Sequence, residues 1–232
     1  MKPNTGKAAA KTPRPTRRPK PASAPSLLVQ AYERIKHNII TLRYRPGEAL
    51  NEAQISESLR IGRTPVHQAL NRLMLEGMVE VIPRKGVIVR GVSLNEVMDI
   101  IDVRLITETH CAKLAAMRAD KDDLAALAQI LDQGKKAADE ADIETQMTLD
   151  REFHLALSRA GKNSVLADTM RNLHDRSLRF WFISLRDVGH DRAVVAQHRA
   201  ILDAIKRRAP DDAALAVRDH IEAFRTNVAR FL

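Results

Sequence analysis

From Ser26 onward, apolar residues recur along the chain at helical spacing. Leu28, Tyr32, Ile35, Ile39 and Leu42 make one stripe that closes at the Pro46-Gly47 turn. Asn51, with Gln54 three residues on, has the form of an N-cap ahead of inward-facing Ile55 and Leu59. In the stretch RIGRTPVHQAL, residues 60–70, Val66, Ala69 and Leu70 are followed by Leu73 at i, i+3, i+4, i+7 spacing. A third helix therefore starts near Pro65. Its missing N–H suits a first turn, and Gly62 or Thr64 can serve as cap. The period then changes. MVEVI and VIVRGV are β-branched runs joined by Pro83-Arg84-Lys85-Gly86, which predicts a hairpin. Three helices and a hairpin within residues 26–91 form a winged helix-turn-helix pattern.

The remainder, 92–232, reads as helix throughout. Ser93-x-x-Glu96 is a capping-box sequence opening a helix to about Met117. Further helices are predicted over 121–133, 142–160, 164–186, 191–207 and 211–231, with Asn163 or Ser164 and Asp211 or Asp212 as caps. The expected fold is mostly α: a winged helix-turn-helix followed by an all-α six- or seven-helix bundle.

Charge sharpens the division. Residues 1–25, with six prolines and no acid, carry a net +7 and predict a disordered basic arm. Residues 26–91 carry +4 and residues 92–232 carry −2, the asymmetry expected when one end meets a polyanion. Aromatics make up only 3% of a chain that is 44% hydrophobic, as suits a helical protein. No apolar run reaches membrane-span length and no signal-peptide core is present. A single cysteine, Cys111, excludes an internal disulfide, fits a cytoplasmic protein and is read as buried packing.

A helix-turn-helix puts the start of its second helix against base edges. Arg63 is placed to reach guanine O6 and N7, and Thr64 a phosphate or a thymine methyl. His67 lies one turn on, and Arg84 and Lys85 stand at the hairpin tip, within reach of phosphates. The run PGEALNEAQISESLRIGRTPVHQALNRLMLEGMVEVIPRKGVIV resembles the winged-helix domain of GntR-family transcriptional regulators, especially in its "RTPV", "EG" and Arg-x-Gly wing. The resemblance implies that Arg63, Thr64 and the residue at 67 contact DNA and that Gly86 makes the wing turn. Two departures stand out: His67 replaces the family's usual arginine, and Gly62 its usual serine or threonine.

In the helical half, Asp150 and His154 are one turn apart on one face, with Leu157 continuing it. His198 lies on the stripe of Val194, Ile201 and Ile205, and His220 on that of Val217, Phe224 and Val228. Each histidine alone is most simply a satisfied core residue. Three, with an aspartate in register, each need buried partners. One divalent cation serves all four: neutral imidazole and carboxylate suit zinc first, or nickel, manganese or iron. This half resembles the FCD effector domain of the FadR subfamily, whose metal-binding members use one Asp and three His; the resemblance implies Asp150, His154, His198 and His220 as ligands. His37, His110, His174 and His190 are read as structural, although the helix of His174 is close enough in sequence to line the pocket.

Arg104 follows Val97 and Ile101 at helical spacing with Glu108 one turn on. Either it pairs with Glu108, or it clamps a carboxylate. FCD domains are similar in placing an arginine of this helix near an organic-acid effector. Asn172, Arg179 and Trp181 are candidates to line the same cavity. The leading expectation is a homodimeric regulator on a pseudo-palindromic DNA operator, responsive to a small carboxylate, with repression as the expected sign. The alternatives are a metal-dependent hydrolase using the three-histidine, one-aspartate site, which lacks a candidate general base, and a chromatin protein acting through the basic arm.

Overall fold

The computed structural model describes residues 25–184 and 191–229, without the side chains at 181–184 and 191–192. The basic arm, His190 and the side chain of Trp181 lie outside the described residues. Three helices come first: α1 (Leu27–Ile40), α2 (Glu52–Leu59) and α3 (Arg63–Leu75). A hairpin follows, β1 (Val79–Ile82) with β2 (Gly86–Val89), antiparallel with Val79 opposite Val89 and Ile82 opposite Gly86. The rest is α4 (Leu94–Arg118), α5 (Lys121–Asp139), α6 (Ile143–Ala160), α7 (Ser164–Ser184), α8 (Asp191–Lys206) and α9 (Pro210–Ala229).

The small unit closes around Tyr32, Ile35, Ile39, Val66, Leu70, Leu73 and Met78, all buried at the positions the stripes indicate. Asn51 caps α2 by accepting from the backbone N–H groups of Ala53 and Gln54. Before α2 the chain runs beside the hairpin, where the Leu50 N–H donates to the Val87 carbonyl at 2.8 Å. In the larger unit α4 is central and packs on α6, α7, α8 and α9. Its core holds Val97, Ile101, Phe153, Leu157, Ile201, Ile205, Val217 and Phe224. Cys111 is buried there, and burial pushes its thiol up to about 12, which makes it inert.

Several boundaries depart from the sequence pattern, each for a local reason. Helix α3 starts at Arg63 with Gly62 as its cap, so Thr64 is inside the first turn and is not the cap. The Ser93 hydroxyl accepts from the Glu96 N–H, but the Glu96 carboxylate turns to Arg176 and Arg90, leaving half of a capping box. Helix α9 opens with Pro210. Asp211 and Asp212 thus occupy its first turn, where negative charge meets the positive helix end, and pair with Lys113 and Arg207. The largest difference is α5, which was expected to stop at 133 and instead passes through Gly134 to Asp139. Leu127, Leu131 and Ala137 keep one buried stripe across the glycine, and that packing outweighs its poor helix propensity.

Gly134 has ordinary negative φ and nothing within 4 Å of where a Cβ would sit. Gly134→Ala should therefore stabilise the protein by about 0.5–1 kcal/mol, read as a raised urea midpoint at unchanged slope. A lowered midpoint would show that α5 is not helical through this position.

Candidate DNA-reading face and metal centre

The start of α3 is open. Gly62 offers no side-chain cap, Pro65 has no N–H, and Arg63, Thr64, His67 and Gln68 are all exposed while Val66, Ala69 and Leu70 face the core. Uncapped N–H groups beside an arginine make a place for an anion. His67 is not idle: its Nδ1 lies 2.8 Å from Glu52 Oε1 at the start of α2. At the wing, the Lys85 N–H donates to the Ile82 carbonyl at 3.1 Å, with Pro83 and Arg84 between. Arg84 has φ of 66° and Gly86 of 79°. Proline at the first central position and positive φ at the second define a type II turn. The turn carries Arg84 and Lys85 outward, both exposed.

In the larger unit α6, α8 and α9 bring Asp150, His154, His198 and His220 together. One donor atom from each lies within 4.8 Å of all the others. His154 Nε2 is 3.1 Å from His220 Nε2, and Asp150 Oδ1 is 3.8 Å from His154 Nε2 and 3.4 Å from His198 Nε2. Donors bound about 2 Å from a single ion end up about 3–4 Å apart, so these spacings fit one cation. The hydrogen bonding fits it too. His154 Nδ1 abuts the Glu108 carboxylate and His220 Nδ1 faces Gln197 Oε1 at 2.9 Å, so both of these nitrogens donate. Both Nε2 atoms then carry lone pairs and point at each other, which a cation resolves. Asp150 Oδ1 and His198 Nε2 are buried without a hydrogen bond. Burial, and then the neighbouring His220 and His154, push His198 well below the usual imidazole range and keep it a neutral ligand. Its ring stacks on Phe153 at 4.2 Å between centroids.

Around this centre lies a layer that the sequence pattern leaves hidden. Glu108 is fully buried and meets His154 Nδ1, His174 Nε2 at 3.2 Å and Arg104 Nε at 3.0 Å. Burial alone would raise its carboxyl; His154, Arg104 and His174 outweigh burial and hold it well below the usual carboxylate range. His174 is brought down to about 3, by burial first and then Arg104, so it stays neutral beside Glu108. Arg104 therefore has the Glu108 pairing of the two readings, with its guanidinium carbon 5.7 Å from the Phe224 ring centre. His174 was read as structural and is instead stacked on His154, 4.7 Å between centroids.

Asn172 and Arg179 do not face this centre, contrary to expectation. Asn172 Nδ2 donates to the Glu76 carbonyl at the end of α3. Arg179 Nη1 donates to the carbonyls of Met78 and Arg90 at 3.2 and 3.0 Å, and burial lowers its guanidinium to about 10. Both belong to a seam between α7 and the winged unit. At its middle Lys36, only 4% exposed on the apolar face of α1, pairs with Asp175 of α7. The same amine donates to the Tyr32 hydroxyl at 2.7 Å and lies 3.3 Å from Glu76, while Arg151 holds Asp175 from α6. The residue types alone could not reveal this, because the contacts that join the seam, Lys36 with Asp175 among them, come from the other unit.

A winged helix with an exposed recognition helix, fused to a helical bundle with a ligand-ready polar centre, defines a DNA-binding transcriptional regulator with an effector domain. The chain belongs to the GntR family of such regulators. Residues 27–89 match "Bacterial regulatory proteins, gntR family" and residues 99–223 match "FCD domain". The Nta operon transcriptional regulator of Aminobacter aminovorans is 31% identical over 186 residues, covering 79% of this chain and 85% of that protein. The HTH-type transcriptional repressor RspR of Escherichia coli is 25% identical, covering 86% of this chain and 87% of its own. In fold, the chain matches the structure of E. coli McbR/YncC with a TM-score of 0.80 at 22% identity, covering 89% of this chain and 99% of that one. None of these relatives supports the hydrolase alternative.

Removing one partner of a buried ion pair leaves an uncompensated charge. Asp175→Ala should destabilise the protein by about 3–5 kcal/mol in chemical denaturation. Lys113→Ala, which opens the exposed pair with Asp211, should barely move the midpoint. Equal effects would mean that the seam carries no special energy.

Proposed function

We propose that this regulator binds operator DNA as a homodimer, holds a divalent cation on Asp150, His154, His198 and His220, and senses a small organic acid, acting as a cytoplasmic repressor. The carrying observation is the convergence of four donor atoms within 4.8 Å from three helices. Zinc suits the set of three imidazoles and one carboxylate best, with nickel, manganese or iron as alternatives. When bound, the cation would supply a Lewis-acidic anchor for an effector carboxylate. The surrounding chain orients the ligands: Glu108 fixes His154, Gln197 fixes His220 and Phe153 backs His198. Arg104, beside that layer, is the candidate to meet the effector's negative charge.

On the DNA side, Arg63 and Thr64 are the residues for base and phosphate contact, with His67 beside them, and Arg84, Lys85 and Gly86 form the wing. A winged helix reads one half-site, so the homodimer follows from pairing two on a pseudo-palindrome. Exposed Val103 and Ile106 on α4 and Val165 on α7 offer apolar surface for that association. RspR, named a repressor, supports the sign. No helix among the described residues is long and apolar enough to cross a membrane.

Two measurements test this reading. Arg63→Ala should cost about 1–3 kcal/mol of binding to sites selected from random DNA and relax preference at one base pair per half-site. Unchanged selectivity would remove Arg63 from the reading surface. Zinc added to chelator-stripped protein should raise the melting temperature, because binding to the native state adds directly to stability, and His198→Ala should lose most of that rise. No rise with any of the four metals would sink the metal centre.

A further inference from the structure

Glu108 is not a ligand of the four-residue centre, yet it is more buried than any charged group around it. Three groups crowd its carboxylate: Arg104 on its own helix donates to it at 3.0 Å, His154 Nδ1 on α6 lies in direct contact with it, and His174 Nε2 on α7 stands 3.2 Å away. A carboxylate accepts only, so the His154 nitrogen against it carries a proton. The other nitrogen, Nε2, is then the lone-pair atom and faces His220 Nε2 and Asp150. A neutral imidazole has one proton to place. Were Glu108 neutral or absent, His154 could carry its proton on Nε2 and the donor set would lose a member.

We propose that Glu108 is a positioning residue that sets the cation affinity of the centre by holding His154 in its Nδ1–H form, and that Arg104 opposes it by drawing on the same carboxylate. This rests on the metal-centre reading above. The two effects have opposite signs. Glu108 makes the ligand more basic and adds negative charge behind it, which tightens cation binding. Arg104 neutralises that charge through its 3.0 Å bond and adds a positive one nearby, which weakens it. An effector that recruits the guanidinium of Arg104 would then strengthen the hold on the metal, so anion and cation binding are linked through one carboxylate.

The test is zinc affinity of the full chain, measured by competition with a chromophoric chelator, beside the visible absorption of cobalt-loaded protein as a report on the ligand set. Glu108→Gln should bind zinc about 10–100-fold more weakly than wild type and show an altered cobalt spectrum. Arg104→Met should bind zinc severalfold more tightly with the wild-type spectrum. A merely structural role predicts something else: both variants weaker, in proportion to lost stability. Wild-type zinc affinity in Glu108→Gln, or weakening in Arg104→Met, overturns the proposal. Should Glu108→Gln fail to fold, Glu108→Asp, which withdraws the charge by one methylene, takes its place with the same expected direction. Wild-type protein that binds no zinc would instead overturn the metal-centre reading and leave no affinity for Glu108 to set.

Discussion

A carboxylate fully out of water is the constraint around which the helical domain is arranged. Moving such a charge into an apolar interior costs several kcal/mol even after relaxation, and the cost is recovered only when its lone pairs are filled with good geometry. Glu108 is answered from α4, α6 and α7 at once: Arg104 donates to it at 3.0 Å, and His154 Nδ1 and His174 Nε2 lie within ion-pair distance of it. That requirement fixes the rotation of each helix about its own axis. Rotating α6 enough to free His154 from Glu108 would also swing Asp150 out of the cluster, since the two lie one turn apart. The packing of Phe153 and Leu157 around them is thus consistent with the polar geometry instead of competing with it.

Helix α7 carries the same logic to the DNA-binding unit. Asn172, Asp175, Arg176 and Arg179 recur at helical spacing and face outward from the bundle, where they meet Glu76, Lys36, Glu96 and the Met78 and Arg90 carbonyls. His174, next in sequence to Asp175, faces inward to Glu108. One helix therefore touches the layer behind the four-residue His/Asp cluster with one face and the end of α3 with another. Glu76 is the contact of most consequence, because it is the C-cap of α3 and binds Tyr32, Lys36 and Arg72 as well. The two units are joined by buried, directional bonds in addition to the chain connection, so a displacement of α7 cannot leave α3 indifferent.

Much of this was legible in the sequence because it depends on periodicity. The stripes of α1, α3 and α6, the hairpin and the three in-phase histidines follow from spacing alone, and spacing survives folding. What depends on partners from elsewhere was not legible. Lys36 reads as a solvated helix lysine, and only the arrival of Asp175 across the seam makes its burial tolerable. Arg179 and Asn172 were assigned to the bundle cavity by neighbourhood in sequence; their helix face points the other way, to carbonyls in a different unit. Glu108 is visible as the i+4 partner of Arg104, but its contact with His154 is a property of how α4 crosses α6. Of the two caps that residue type offers for α3, folding selects Gly62 over Thr64, and at α4 the Ser93 cap stands while Glu96 turns to Arg176 instead of closing the box.

The strained backbone positions, which in the winged unit include Leu42 and Arg60 after α1 and α2, differ in what offsets them. Non-glycine residues with positive φ cost roughly 1–2 kcal/mol each, and the protein holds Ala141, Lys162 and Arg208 this way where α5, α6 and α8 end. Two of these three return something to the fold. Lys162 pairs with Asp120 and Asp123 at the start of α5, at 2.8 and 2.6 Å. Arg208 donates to the Ala116 and Ala119 carbonyls at the end of α4, at 3.1 and 2.6 Å. Arg84, at φ 66° on the wing, is different: its side chain is exposed and has no partner among the described residues. Glycine or asparagine would fill that turn position with less strain. A basic residue kept there against local preference, with nothing inside the chain to offset it, is best accounted for by a partner outside the chain, and an arginine beside Lys85 selects a polyanion. The uncapped start of α3, with Arg63 and two open N–H groups, departs from local preference in the same direction. Both departures lie in the unit of net positive charge, where open N–H groups and guanidinium are the chemistry that matches a phosphate.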